Sequence, residues 1–297
     1  MDRFGLIGDP IRKSLSPALF TAGYDGKYRY DLIEGSDFNA SWEKFLEGYK
    51  AINVTAPFKE YAFAQAVALA KNGFGSVSGP CLKTGATNLV VKRDGGIHAY
   101  NSDFTGIILS VAESLFPGIV GQCYDTYGDK GYVKVHQFVR ENVDEYYGDK
   151  PQALVVGCGG AGKAAAVAAA EMGYSTVLMN RTQAKAGDFA LGLPEYGFII
   201  DSLSDFKAAF RECELVIYTL PLAIEQIASL DEDDFKGNGT KKKTILEANY
   251  KTPGFTAGDA YSYVSGKKWI LYQALTGYGI MSGEAPDFKA MERVLGL

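Results

Sequence analysis

Short apolar runs recur along the chain and are separated by stretches of helical period, the pattern of an α/β protein. Residues 3–7 read as a first strand, and 28–33 alternate as a second. Residues 37–48 read as a helix with Phe38, Trp42, Phe45 and Leu46 on one core-facing stripe. Ala51-Ile52-Asn53-Val54 reads as a short buried strand. Pro57 stops it, because proline lacks an N–H and fixes φ. The segment from Lys59 to Ala66 then has helix-forming composition. Gly85-Ala86-Thr87-Asn88 makes a turn before a strand at 89–91, and Asp94-Gly95-Gly96 closes a hairpin onto 97–101. Upstream, Ser16 is placed to cap a helix with Pro17 in its first turn. Asp103 is likewise placed as the N-cap of a helix running to about Phe116.

The second half repeats the pattern with a different signature. Ala153-Leu154-Val155-Val156 is a buried strand by pattern. Gly157-Cys158-Gly159-Gly160-Ala161-Gly162 follows it and opens an Ala-rich helix over 163–172, ended by Gly173. A further strand spans 176–179. A G-x-G-x-x-G match set between a strand and a helix predicts a dinucleotide-binding fold, with the backbone approaching a pyrophosphate at the helix N-terminus. Strands are also expected over 214–219 and 244–248. Between the halves, Val135, Phe138, Val139, Val143 and Tyr146 predict an amphipathic helix over about 133–147, preceded by a turn-rich 121–131. The expectation is a surface insertion docked by that apolar face.

Composition narrows the function classes. Of 297 residues, 47% are hydrophobic and 22% charged, which suits a globular protein. The net charge of −5, with both signs interspersed, argues against nucleic acid or an anionic membrane as the main partner. No stretch approaches the roughly 18 apolar residues of a membrane span. The N-terminus does not read as a signal peptide, since Gly8-Asp9-Pro10 interrupts its apolar run. Cys81, Cys123, Cys158 and Cys213 show no metal-type spacing with His98 or His136. They read as reduced thiols of a cytoplasmic protein without a metal site.

Lys59 is the chemically telling residue. It stands at a strand–turn–helix junction, near a helix N-terminus where the macrodipole favours anions. Asn53-Val54-Thr55-Ala56-Pro57-Phe58-Lys59, together with Asn101-Ser102-Asp103-Phe104-Thr105-Gly106, resembles the shikimate dehydrogenase family. The resemblance implies that Lys59 and Asp103 form the acid–base pair that moves the hydroxyl proton as hydride is transferred. It further implies that Ser14 and Ser16, in Gly8-Asp9-Pro10-Ile11-Arg12-Lys13-Ser14-Leu15-Ser16-Pro17, bind a substrate carboxylate. Thr55, Asn88, Tyr250 and Gln273, the last near a helix start, are the remaining implied substrate contacts. Asn88 also reads as a turn residue that satisfies backbone.

The cofactor is read from the residues after the second strand of the glycine-loop half. An NAD site expects an acid there; this chain has Asn180-Arg181-Thr182. Arg181 can stack on adenine and pair with a 2′-phosphate, and Lys185 can add to it. The same motif in the family implies NADP. Gly157, Gly159, Gly160, Ala161, Asn180, Arg181, Thr182 and Thr219 are the expected cofactor contacts. Lys13, Leu89, Leu220-Pro221-Leu222, Glu247-Ala248-Asn249 and Met281 depart from the family pattern.

The sequence therefore predicts two α/β domains with a cleft between them. Residues 1–105, completed by 251–297, form the substrate domain. Residues 106–250 form a Rossmann-type, doubly wound NADP domain carrying the insertion at about 117–150. The implied reaction is NADP-dependent reversible reduction of 3-dehydroshikimate to shikimate, in aromatic amino-acid (chorismate) biosynthesis, by a cytoplasmic monomer or homodimer. A quinate-using paralogue and a non-catalytic NADP-binding sensor remain as alternatives.

Overall fold

The apolar runs read as strands become strands in one of two six-stranded sheets. The structure, a computed structural model, describes residues 2–236 and 241–297. The chain divides into two units, Met1–Asp103 with Leu271–Leu297, and Phe104–Ile270.

The first unit holds β1 (Arg3–Gly8), β2 (Arg29–Glu34), β3 (Ala51–Val54), β4 (Gly75–Val77), β5 (Leu89–Arg93) and β6 (Gly96–Tyr100), in the order β2-β1-β3-β5-β6-β4. β1 pairs in parallel with β2 and β3, whereas β5 runs antiparallel to β3 and β6. Asp94 and Gly95 both take positive φ (52° and 75°), as a two-residue type I′ hairpin requires. Four helices accompany the sheet: α1 (Ser16–Gly23), α2 (Phe38–Gly48), α3 (Lys59–Lys71) and α4 (Gly79–Thr84). Asp37 caps α2 by accepting the N–H groups of Asn39 and Ala40. Phe38, Trp42 and Phe45 join Ile7, Ile52, Val54 and Phe58 in one core cluster. Leu46 does not. It is 43% exposed, because the buried face is centred on Ser41, Trp42 and Phe45 and leaves position 46 at its edge.

α5 (Ser102–Leu115) begins at the last residues of the first unit and continues into the second. The turn-rich reading of 121–131 is corrected: α6 (Ile119–Tyr127) occupies most of it and α7 (Gly131–Tyr147) starts at its end. Ile119, Val120 and Cys123 are buried, and their burial outweighs the modest helix cost of Gly121. Gly131 permits the close return, since a Cβ there would lie 2.7–2.8 Å from Tyr124. α7 buries Val135, Val139 and Val143, while Phe138 and Tyr146 pack edge-on against Phe116 at 5.1 and 5.2 Å.

The second sheet comprises β7 (Gln152–Val156), β8 (Ser175–Met179), β9 (Ile199–Asp201), β10 (Leu215–Tyr218), β11 (Thr244–Glu247) and β12 (Ser262–Val264). Its order is β12-β11-β10-β7-β8-β9 and every pairing is parallel. Read from β9, this is the 3-2-1-4-5-6 order of the doubly wound dinucleotide fold, with its switch point between β7 and β10. α8 (Gly160–Met172), α9 (Gln183–Leu191) and α10 (Phe206–Glu212) make its crossovers, and α11 (Gly266–Ser282) and α12 (Phe288–Leu295) end the chain.

Among the described residues, one cation of this unit is fully buried. Lys243 has no exposed surface, and its Nζ donates to the carbonyls of Phe210 (2.6 Å), Arg211 (3.2 Å) and Cys213 at the C-terminal end of α10. A cation suits that end of a helix, but desolvation dominates and pulls its pKa to about 8. All four cysteines are buried and none forms a disulfide. Among the described residues, no helix is long and apolar enough to cross a membrane.

Candidate active site

In the first unit, loops from several strands meet at one end of the sheet. Residues 9–15 leave β1, residues 55–58 leave β3, Asn88 precedes antiparallel β5, and Asn101 follows β6. Cross-loop hydrogen bonds hold them: Asp9 N–H to Ala56 O (3.1 Å), Val54 N–H to Asn88 O (2.8 Å) and Thr87 N–H to Lys59 O (3.0 Å). Glu34, at the end of β2, accepts the Ile11 N–H (3.1 Å) and pairs with Arg12 (2.6 Å), fixing the path of the first loop. Thr55 lies half-buried directly after β3.

Ser14 and Ser16 face each other, with Ser14 Oγ donating to Ser16 Oγ at 3.2 Å and accepting the Ser16 N–H at 3.2 Å. Ser16 is not the cap of α1. It is the first helical residue, Leu15 takes the N-cap position without a side-chain bond, and Pro17 falls in the first turn as expected. Two hydroxyls are thereby left at a helix start, where N–H groups and dipole favour an anion.

Lys59 is the first residue of α3, and its Nζ lies 2.6 Å from Asp103 Oδ2. The two side chains are 17% and 6% exposed, so the pair is largely shielded from water. Asp103 lies in the first turn of α5 rather than at its N-cap. The capping is supplied from outside the helix: Asn88 Oδ1 accepts the Ser102 N–H at 2.7 Å, and Asn88 Nδ2 donates to Ser102 Oγ at 3.1 Å. That leaves the Asp103 carboxylate for Lys59. Asn88 is thus a buried structural bracket whose second amide hydrogen is uncommitted to these two bonds. Asn101 anchors the same turn through Thr84 Oγ1 and Ala86 O. Gln273 is part-exposed in the middle of α11 instead of at its start, because the helix begins at Gly266, with Ser265 O accepting the Lys268 and Trp269 N–H groups.

Three polar residues of this unit went unread in the sequence. Tyr30 donates to Asn53 Oδ1 (2.8 Å), Asn53 Nδ2 reaches Asn88 O (3.4 Å), and Tyr278 of α11 donates to Ser16 O (3.2 Å). Asn53, a polar side chain inside an apolar strand, was the available signal.

In the second unit the glycine loop sits at the switch point. Gly157 has φ 104°, and a Cβ on Gly162 would lie 2.0 Å from Gly157 O. Both positions therefore require glycine, and Gly159 is the N-cap residue of α8 with no side chain covering the helix end. Gly160 and Ala161 open the helix itself. Asn180 Oδ1 accepts the Cys158 N–H (3.1 Å) while its Nδ2 donates to Thr182 O (2.8 Å), which binds the glycine loop to the turn after β8. Arg181 and Thr182 stand exposed on that turn. Thr219 Oγ1 donates to Val156 O (2.8 Å) across the switch point.

The departures noted after β10 and β11 support one another. Tyr218 OH donates to Leu222 O (2.7 Å) and accepts the Ile224 N–H (3.0 Å), and Asn249 Nδ2 donates to Pro221 O (2.7 Å). Buried Glu247 accepts from Gly254 N–H, Phe255 N–H and Tyr263 OH. Tyr250, the next residue but two, is half-buried, and burial raises its pKa.

Comparison with known proteins fits this geometry. The shikimate dehydrogenase substrate binding domain matches residues 6–73. A shikimate dehydrogenase (NADP(+)) of Haloarcula marismortui is 28% identical over 300 residues, covering 96% of this chain and 94% of its own length. One from Halobacterium salinarum is 28% identical over 231 residues, 76% of this chain and 71% of its own. Among solved structures, the shikimate 5-dehydrogenase of Thermus thermophilus in complex with NADP(H) and shikimate superposes with a TM-score of 0.73 at 21% identity, over 100% of this chain and 99% of that one. The quinate dehydrogenase of Corynebacterium glutamicum in complex with NAD gives 0.72 at 17% identity, over 100% and 99%. Likeness at those identities speaks for the fold alone. Residues 6–73 thus match a shikimate dehydrogenase domain, and most of the chain is similar to shikimate dehydrogenases at 28% identity.

Proposed function

We propose that this protein catalyses the NADP-dependent reversible reduction of 3-dehydroshikimate to shikimate, a step of aromatic amino-acid (chorismate) biosynthesis. The observation that carries the reading is the shielded Lys59–Asp103 pair at 2.6 Å. In the reducing direction the Lys59 ammonium donates a proton to the ketone oxygen as that oxygen gains charge. In the oxidising direction the Lys59 amine takes the hydroxyl proton. Asp103 orients Lys59 through the 2.6 Å bond between them. Ser14 and Ser16 hold the substrate carboxylate at the start of α1. Thr55, the free amide hydrogen of Asn88, Gln273 and Tyr250 address the ring hydroxyls.

The residues of the second unit fit NADP. Gly157 and Gly162 let the loop fold tightly on itself and against Thr219, Gly159 leaves open the space a Cβ would fill, and the bare N-terminus of α8 offers N–H groups to a pyrophosphate. Gly159, Gly160 and Ala161 line that approach. Arg181 and Thr182, held in place through Asn180, stand where a 2′-phosphate is recognised, with no acid to bind a free ribose hydroxyl. Thr219 supports the loop from the far side of the switch point. When bound, NADP supplies or accepts the hydride. The protein is read as a cytoplasmic enzyme, monomeric or homodimeric, with a small-molecule substrate and no nucleic-acid or membrane partner.

The test is a four-way assay of purified protein with shikimate or quinate and NADP or NAD, following reduced nicotinamide. Turnover confined to shikimate with NADP is the expected result. Turnover with quinate or NAD would overturn the specificity and keep the Lys59 chemistry. No turnover in any arm, with NADP still bound, would remove the catalytic reading.

A further inference from the structure

Ser16 is embedded among phenols that the family motifs do not account for. Tyr278 is 3% exposed, and its ring stands edge-on to Phe20 at 4.8 Å, which fixes where its hydroxyl can point. That hydroxyl donates to Ser16 O at 3.2 Å. Burial raises the pKa of both Tyr278 and Tyr30, and the Ser16 side chain partly offsets the rise. Tyr30 spends its own proton on Asn53 Oδ1 at 2.8 Å.

Proton counting then fixes the roles. A phenol has one proton. Tyr278 gives its proton to the Ser16 carbonyl and Tyr30 gives its proton to Asn53, so neither phenol has a proton left to donate elsewhere. The Ser16 oxygen already accepts from Ser14 Oγ. Its own proton is not used in that bond and can turn to a carboxylate when one arrives.

We propose that Tyr278 is a positioning residue for substrate binding: through its bond to the Ser16 carbonyl it fixes the backbone that aims the Ser16 hydroxyl at the substrate carboxylate. The proposal rests on the reading of Ser16 as a carboxylate ligand. Tyr278 itself touches no reacting atom. Its loss should appear in acid binding and leave the chemical step alone.

The experiment compares steady-state kinetics of Tyr278→Phe, Ser16→Ala and the double variant with shikimate and NADP. Tyr24→Phe is the structural control: Tyr24 OH bonds Ser282 Oγ (2.8 Å) and Glu284 O (3.1 Å), a similarly buried phenol in the same aromatic cluster that has no bond to either serine. Tyr278→Phe should raise KM for shikimate about three- to tenfold, the effect of one lost hydrogen bond, with kcat and KM for NADP within about twofold. The effect should vanish in the Ser16→Ala background, and Tyr24→Phe should lower Tm without moving KM. An unchanged KM in Tyr278→Phe, an equal rise in Tyr24→Phe, or additivity with Ser16→Ala overturns the proposal. An unchanged KM in Ser16→Ala strikes the carboxylate reading itself, a separate failure.

Discussion

Replacing Lys243 with Met should make stability respond to alkaline pH in a way that the structure fixes in sign and size. The Lys243 ammonium is fully buried and has three backbone carbonyls for acceptors. Its pKa falls from the ordinary 10.5 to about 8, with desolvation as the cause. The folded state thus releases this proton at lower pH than the unfolded state does. Between pH 8 and 10.5 the unfolded chain binds more protons, so stability from this group rises with pH. A gap of about 2.5 pH units corresponds to roughly 3 kcal/mol of penalty below pH 8, at about 1.4 kcal/mol per unit. Methionine removes that penalty, but it also removes charged donors worth about 1.5–3 kcal/mol to the carbonyls at the end of α10. The two effects nearly offset near pH 7. Equilibrium urea unfolding of both proteins at pH 7, 8, 9 and 10 measures the difference. Wild type minus Lys243→Met should climb by about 2.5 kcal/mol across that range. The buried thiols of Cys81 and Cys213, pushed up to about 11 and 12, act in the opposite sense above pH 9, but both proteins carry them. A flat difference would refute the assignment of a proton-poor amine at this site.

Other outcomes follow from the site. Lys59→Ala should lower kcat by about 10²–10⁴-fold while shikimate binding, followed by calorimetry, survives in part; a rate near wild type would remove Lys59 from proton transfer. Arg181→Ala should weaken NADP about ten- to a hundredfold and leave NAD affinity unchanged, which fluorescence titration of the two cofactors reads directly. Gly162→Ala should abolish cofactor binding, since its Cβ would stand 2.0 Å from Gly157 O; wild-type NADP affinity would contradict the loop geometry. Tyr218→Phe should cost about 1–3 kcal/mol in chemical denaturation, because Leu222 O and Ile224 N–H both lose their partner.

What could be read in the sequence was local. The strand-to-proline-to-helix junction placed Lys59, and the strand–glycine loop–helix order placed the dinucleotide half, because each signal lies within a few residues of its consequence. The errors fell where a distant partner decides. Asp103 yields the cap of α5 to Asn88, whose bond to Ser102 spans 14 positions. Tyr278 and Ser16 are 262 positions apart, and nothing near either residue announces the other. Residues 119–127 are helical because Ile119, Val120 and Cys123 find cover, a fact of packing that the glycines at 118 and 121 conceal. Leu46 shows the converse: a side chain of the right type and spacing, one position beyond the face that is covered.

The order in which the chain is synthesised bears on the first unit. That unit needs residues 271–297, yet 167 residues of the other unit, 104–270, are made in between. Tyr278 on Ser16, Ser282 on Tyr24 and Glu284 on Lys27 all wait until residues 278–284 have been translated. The N-terminal strands therefore leave the ribosome without their final partners, whereas residues 104–270 emerge as an uninterrupted block. Ribosome-bound nascent chains arrested after residue 270 should present a protease-resistant second unit and an N-terminal segment that is still cleaved.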